Sequence, residues 1–214
     1  KVNGMAGWFN TGDEKIDIKY KGTVENWFPN GNGTLTYPDG SKFVGENNFG
    51  ILHGYVSATI FDGTIFQGKY KYGKMHGFGK LQSIYGTIYL GDWEDGEKNG
   101  QGTLIDKKYG TYVGEWANGS LNGLGTYTFI DGRKYVGNFK DGRRNNFGTF
   151  TYPDGSRYEG EWKEGIIHGF GTLTSNEGKR FEGEWKEEKP WNITEFDKHG
   201  KINGRFMNGE WIKQ

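Results

Sequence analysis

Tyr158-Glu-Gly160-Glu-Trp162-Lys-Glu-Gly165-Ile-Ile-His168-Gly169-Phe-Gly171-Thr-Leu173 decides the reading of this chain. Moved by 23 residues in either direction, the pattern falls on a copy of itself. The aromatic that opens it recurs as Tyr20, Phe43, Phe66, Tyr89, Tyr112, Tyr135, Tyr158 and Phe181. A glycine follows two places later every time, at Gly22, Gly45, Gly68, Gly91, Gly114, Gly137, Gly160 and Gly183. A short fixed period of this kind is the signature of a repeat array rather than of ordinary domains.

Within a unit, Tyr158, Gly160 and Trp162 alternate with Glu159, Glu161 and Lys163, the period-2 pattern of a strand with one apolar face. The second half, Phe170 to Thr174, is rich in β-formers, and it closes on turns such as Tyr152-Pro-Asp-Gly155. No helical period longer than a turn survives among so many glycines. The expected fold is therefore all-β: an elongated single-layer antiparallel sheet of about eight stacked β-hairpins with a shallow groove. At about 4.8 Å per strand, sixteen strands would span roughly 75 Å. Paired glycines such as Gly169 and Gly171 are expected to leave room for aromatic rings to lie flat across the backbone.

Composition supports a thin, aromatic-rich array. Hydrophobic residues make up only 33% of the 214, but 17% are aromatic and 39 are glycine. Aromatic rings bury a large area each, so a few per unit can hold a structure poor in aliphatics. Lys plus Arg and Asp plus Glu are 27 each, which argues against a nucleic-acid partner. No apolar run has the length of a membrane span, and no signal-peptide pattern opens the chain. The chain begins at Lys1 rather than Met, which leaves a preceding segment open. With no cysteine there is no disulfide and no thiol chemistry. The sequons at Asn32, Asn118 and Asn192 are read as accidents of turn and strand composition.

The expected organisation is an irregular N-terminal cap over 1–19 and tandem units over 20–202, starting at 20, 43, 66, 89, 112, 135, 158 and 181. A partial repeat or C-terminal cap then covers 203–214. The units from 20 and 43 are eroded, with Val24 and Asn47 at the fifth, usually aromatic place. In the unit from 89 the turn glycine is displaced to Gly110, and the unit from 181 loses its central glycines to Pro190-Trp191-Asn192.

These motifs resemble the MORN repeat (membrane occupation and recognition nexus), over residues 20 to 211. The resemblance implies an elongated, twisted antiparallel sheet with a groove along one face. It also implies a scaffold or adaptor role in cytoskeletal, ciliary or junctional assemblies, often as a dimer, in the cytoplasm or at a membrane. Acidic phospholipid binding is ascribed to the family, and is carried here as the alternative reading.

Four sets of residues are candidates for function. His53, His76 and His168 share one place in their units with Asn99, Asn122 and Asn145. Consecutive ones lie near 10 Å apart, too far for joint ligation of a metal, so turn capping is the expected role. Glu46, Asp92, Glu115, Glu161 and Glu184 recur in equivalent surroundings, unlike a catalytic pair, and are expected to pair across strands with Lys and Arg. Arg133, Lys134, Lys140, Arg143 and Arg144 form the best patch for an acidic ligand, though Asp131 and Asp141 flank it. Tyr89, Trp93, Tyr112, Trp116, Tyr135, Phe139, Tyr158, Trp162 and Trp185 fall on one face, and an uncovered strip of them would form a groove for a partner's helix or extended peptide. The expectation is a non-enzymatic scaffold with no cofactor and no metal. Its sheet edges, unless capped, leave a homodimer or end-to-end assembly open.

Overall fold

A computed structural model of the chain describes residues 7–8 and 17–213. Most of the expected cap over 1–19 lies outside the described residues. The chain forms two units, Lys1–Asp106 and Lys107–Gln214. Among the described residues every regular element is a strand.

The first unit holds β1 (Gly7–Trp8), β2 (Lys19–Glu25), β3 (Phe28–Thr36), β4 (Lys42–Asn48), β5 (Ile51–Thr59), β6 (Ile65–Lys71), β7 (Lys74–Gln82), β8 (Ile88–Glu94) and β9 (Glu97–Asp106). The second holds β10 (Gly110–Ala117), β11 (Ser120–Phe129), β12 (Lys134–Lys140), β13 (Arg143–Thr151), β14 (Arg157–Lys163), β15 (Ile166–Thr174), β16 (Arg180–Lys186), β17 (Lys189–Phe196), β18 (Ile202–Met207) and β19 (Glu210–Lys213). In each unit every strand pairs antiparallel with the next in sequence, the stacked-hairpin meander that the repeat implies.

Two kinds of turn alternate. Inside a hairpin the loop is two residues long, as at Glu164–Gly165, with φ of 52° and 92°. Positive φ at both places is the type I′ turn, whose twist matches that of the flanking strands. The second turn residue donates its N–H to a carbonyl one repeat back: Gly165 to Arg144 at 2.9 Å, Gly142 to Leu121 at 3.0 Å. Between hairpins, Gly155 N–H bonds the Tyr152 carbonyl at 3.0 Å and Asp154 accepts from Ser156 N–H at 2.9 Å, a turn followed by a left-handed glycine.

One type I′ turn in the second unit has no glycine. Glu187 and Glu188 sit at φ of 50° and 64°, and Glu188 still donates its N–H to Ile167 at 3.1 Å. A left-handed residue with a Cβ costs roughly 1–2 kcal/mol, partly offset by the greater freedom glycine has in the unfolded chain. Glu188→Gly keeps the N–H and is expected to stabilise the chain by about 1 kcal/mol. A thermal melt checks this, and an unchanged or lowered Tm would contradict it.

The second strand of the regular hairpins carries a bulge of two extra residues. Pairing of β14 with β15 runs Gly160↔Gly171 and then slips to Trp162↔Ile167, which sets three residues, His168, Gly169 and Phe170, opposite Glu161 alone. The same slip occurs at Gly137/Phe139, Gly114/Trp116, Gly91/Trp93 and Gly68/Tyr70. Inside the bulge the chain turns through a left-handed residue, Gly169 at φ 64°, for which Asn146 at φ 54° stands in one repeat earlier. Asparagine is among the few non-glycine residues that tolerate this region, so the repeat from 135 keeps its shape without the glycine.

Candidate functional site

The inner face is built from tyrosine lying on glycine. Tyr158 is fully buried, and its ring covers Gly160 and Gly171, the facing pair of β14 and β15. A Cβ at Gly171 would collide with Tyr158 Oη and come within 2.5 Å of its Cζ. The phenol then donates to the carbonyl opposite the bulge: Tyr158 to Glu161 at 3.2 Å, Tyr135 to Asn138 at 3.0 Å, Tyr112 to Glu115 at 2.9 Å, and Tyr89 to Asp92 at 2.9 Å. The flat packing foreseen for the glycines is present, supplied by the ring of the same hairpin.

Indole and phenyl rings close the layer edge-on. Tyr158 meets Trp162 at 5.4 Å and Trp185 of the next repeat at 5.7 Å, with interplanar angles of 86° and 87°. Tyr135 meets Phe139 and Trp162 in the same way at 5.1 and 5.4 Å. In the first unit Trp93 stands edge-on to Tyr89 and Phe66 at 5.1 and 5.4 Å. Indole N–H groups donate to glycine carbonyls, Trp93 to Gly79 at 3.3 Å, Trp162 to Gly148 at 3.1 Å and Trp185 to Gly171 at 3.2 Å. Edge-to-face pairs are the favoured aromatic geometry, and each buried N–H finds its acceptor.

This packing corrects one expectation. Tyr89, Trp93, Tyr112, Trp116, Tyr135, Phe139, Tyr158, Trp162 and Trp185 are all at most 6% exposed, so they do not form an open strip. Ring on glycine and ring on ring leave little of each open, and the ladder is the core of the sheet.

Burial also acts on the phenols. It pushes Tyr112 up to about 12 with help from the Glu115 carboxylate, and Tyr135 up to about 12 against the opposing Arg144 charge. An unfolded chain releases phenolic protons near pH 10, protons that the fold holds to higher pH. Stability is therefore complete below about pH 10 and lost as pH climbs towards about 12. Thermal melts in alkaline buffers should show Tm falling through this window, and a flat Tm would contradict the assignment.

What stays open on the inner face of the second unit is a pocket of about 350 Å³, lined by Leu121, Tyr127, Phe129, Tyr135, Phe139 and Arg144, with Arg143 and two turn glycines at its edge. Tyr127 and Phe129 lie tilted at 4.5 Å and are only partly buried. The Arg144 guanidinium stacks 4.3 Å from the Trp162 ring and 5.0 Å from that of Phe150, and donates to the Gly165 carbonyl at 2.6 Å. Burial holds its pKa below the usual arginine value.

The expected basic patch is divided. Arg133 pairs with Asp131 at 2.7 Å and stacks on Phe129 at 5.0 Å, while Arg143 pairs with Glu164 at 2.8 Å. Lys134 and Lys140 are exposed and alternate with the inward Tyr135 and Phe139. The arginines thus already hold internal partners, which weakens the case for an acidic headgroup at this place.

The recurring carboxylates cap the bulge, in place of the expected pairing with Lys and Arg. Glu161 accepts the Phe170 N–H at 3.3 Å, Glu115 the Leu124 N–H at 3.2 Å, and Asp92 the Gln101 N–H at 3.0 Å. At the histidine/asparagine place, Asn99 bonds Glu94 at 3.1 Å and His53 lies edge-on to Tyr72 at 6.4 Å. Among the described residues no group of three or more His, Cys, Asp or Glu could hold a metal ion, and no helix is long and apolar enough to cross a membrane.

Sequence reasoning missed the outer face. The residue before the second glycine of the Gly-x-Gly place, where Asn146 replaces the first glycine in one repeat, points outward, and Leu124, Phe147 and Phe170 are between 60% and 64% exposed there. Phe147 and Phe170 border an open pocket of about 580 Å³ with Arg157, Glu159, Arg180 and Glu182. The signal was in the chain: an apolar residue recurs directly before the second of those glycines at 78, 124, 147 and 170.

The glycine-tyrosine lattice with its 23-residue spacing matches the MORN repeat, at residues 20–42, 66–84, 89–111, 112–132, 135–157 and 158–180. The chain belongs to the MORN-repeat family. The unmatched MORN-like stretches are the one from 43, which carries Asn47 and Val56, and the one from 181, which carries Pro190-Trp191-Asn192. Comparison with curated proteins returned no match. Among solved structures, the TCP domain of SAS-4 from Drosophila melanogaster, in complex with a proline-rich motif of Ana2, is 12% identical. That match covers 70% of this chain and 81% of the other, with a TM-score of 0.43. The G-box domain of the microcephaly protein CPAP is 12% identical over 86% and 98% of the two chains, with a TM-score of 0.31. The TCP10 domain of CPAP from Danio rerio is 11% identical over 89% and 95%, with a TM-score of 0.29. Likeness at this level carries neither partner nor mechanism across to the MORN chain.

Proposed function

We propose that this MORN-repeat chain is a non-enzymatic scaffold whose second unit holds a partner protein in the inner-face pocket over Tyr135 and Phe139. The observation that carries the reading is that pocket. Leu121, Tyr127 and Phe129 offer apolar surface beside a guanidinium fixed by three aromatic rings. Apolar surface with a few oriented polar groups suits a helix or extended segment of a protein better than a small metabolite. By family resemblance, the setting is a cytoskeletal or ciliary assembly in the cytoplasm.

The test is quantitative affinity capture from the source cell, comparing wild type with Leu121→Ser/Phe129→Ser and with Phe170→Ser on the outer face. Circular dichroism checks that each chain folds. Loss of a defined set of proteins from the folded Leu121→Ser/Phe129→Ser chain, and its retention by Phe170→Ser, supports the inner pocket. Unchanged capture by the inner-face variant, or loss confined to Phe170→Ser, overturns it.

A further inference from the structure

We propose that Asn99 is a site of spontaneous deamidation, a chemical ageing point set into the repeat that starts at Tyr89. Asn99 is followed by Gly100, and the two occupy the place held by His168-Gly169 three repeats later. Gly100 is left-handed, at φ 68°, and its amide lies against the preceding side chain. The Gly100 N–H donates to Asn99 Oδ1 at 2.8 Å, while Asn99 Nδ2 donates to Glu94 Oε2 at 3.1 Å.

The two bonds hold the carboxamide at both ends. Its carbon is one covalent bond from Oδ1, so it faces the Gly100 nitrogen near the ~3–3.5 Å range of near-attack conformers. Glycine places no Cβ beside that nitrogen, and Gly100 is exposed, so water and hydroxide can reach it.

The chemistry needs only water. A base takes the Gly100 N–H proton, and the nitrogen bonds to Asn99 Cγ. The Cγ–Nδ2 bond breaks and ammonia leaves, giving a five-membered succinimide. Water then opens either of its two C–N bonds, yielding aspartate or isoaspartate. One water enters, one ammonia departs, and nothing is oxidised or reduced.

Other Asn-Gly pairs in the repeats lack this arrangement. Asn30 contacts Glu25 as Asn99 contacts Glu94, but Gly31 makes no such bond back to it. Asn122, one repeat after Asn99, shows neither contact. At the hairpin tip of Asn208–Gly209 the glycine N–H is already given to the Trp191 carbonyl at 2.9 Å.

Either product sets a new carboxylate beside Glu94, near Asp92, whose own carboxylate holds the Gln101 N–H. Isoaspartate also adds a backbone atom to β9. Both changes weaken the β8–β9 pairing, so this repeat would loosen as the protein ages.

The test ages the full chain in buffer made with ¹⁸O water and follows each Asn-Gly peptide by mass spectrometry. Asn99 should convert about tenfold faster than Asn30 or Asn122, with a rate that rises with pH. Glu94→Ala should slow Asn99 and leave Asn122 unchanged, and in denaturant the three sites should converge. Conversion at Asn99 no faster than at Asn122 overturns the proposal. So does indifference to Glu94→Ala, or a lead that persists in the unfolded chain.

Discussion

Gly171→Ala is expected to destabilise the chain by about 3 kcal/mol, the upper range of overpacking. Strand propensity alone gives the opposite sign, because glycine inside a strand costs roughly 0.5–1 kcal/mol relative to alanine. The new methyl decides the outcome. It would strike Tyr158 Oη and Cζ, atoms of a rigid ring that cannot swing aside as the end of a lysine could. That ring is itself held by its bond to the Glu161 carbonyl and by Trp162 and Trp185 on its flanks. Denaturant unfolding of Gly171→Ala, Tyr158→Ala and the double variant measures the coupling. The tyrosine deletion should absorb most of the glycine effect, since the obstacle has gone. Additive losses, or a Gly171→Ala chain as stable as wild type, would show that the ring does not require that glycine.

Trp162→Ala should cost about 3–5 kcal/mol, as expected for emptying a buried aromatic site. Trp162 is 4% exposed, packs edge-on against Tyr135 and Tyr158, donates to the Gly148 carbonyl and carries the Arg144 guanidinium on its face. Its loss leaves a cavity and removes a hydrogen bond worth about 1 kcal/mol. Phe170→Ser, on the neighbouring strand β15 but 64% exposed, should move stability by no more than about 0.5 kcal/mol. The pair is compared by thermal melts followed in the far ultraviolet. If the two substitutions cost the same, the assignment of core and surface to the two faces is wrong. A corollary is that a loss of partner binding in a tryptophan-to-alanine variant does not by itself mark a contact, because the same change destabilises the fold.

The period, the strands and most turns could be read from the residues alone. Tyr158-x-Gly160-x-Trp162 fixes which side chains share a face, and glycine at both turn types marks the positive φ. Alternation says which residues look the same way, but not whether that way is covered. The rings were therefore expected to lie open, and instead they close over one another. The bulge is invisible for a related reason. Tyr158, Gly160 and Trp162 keep their alternation past it, so nothing in the spacing shows that His168, Gly169 and Phe170 stand opposite Glu161 alone. Its carboxylate therefore looked free to meet a cation, where it actually takes the Phe170 N–H. The turn at Glu187–Glu188 escaped because no glycine or asparagine announces it, and its geometry is imposed by the strands on either side.

The pairing pattern bears on how the chain acquires this structure. Inside each unit, β-contacts join only strands that are neighbours in sequence, so the loops that must close are short. Most β-proteins fold slowly because distant segments have to find each other before any contact rewards them. Here a hairpin such as 158–174 is a complete nucleus, and growth adds one strand at a time on either side, with no obligatory starting point. Folding should then be fast for an all-β chain. A lesion such as that at Gly171 should slow propagation locally while leaving other hairpins free to start. Excision of one whole 23-residue period, from one turn to the next, should be tolerated far better than removal of a single residue within a strand, which would turn every following ring to the wrong side.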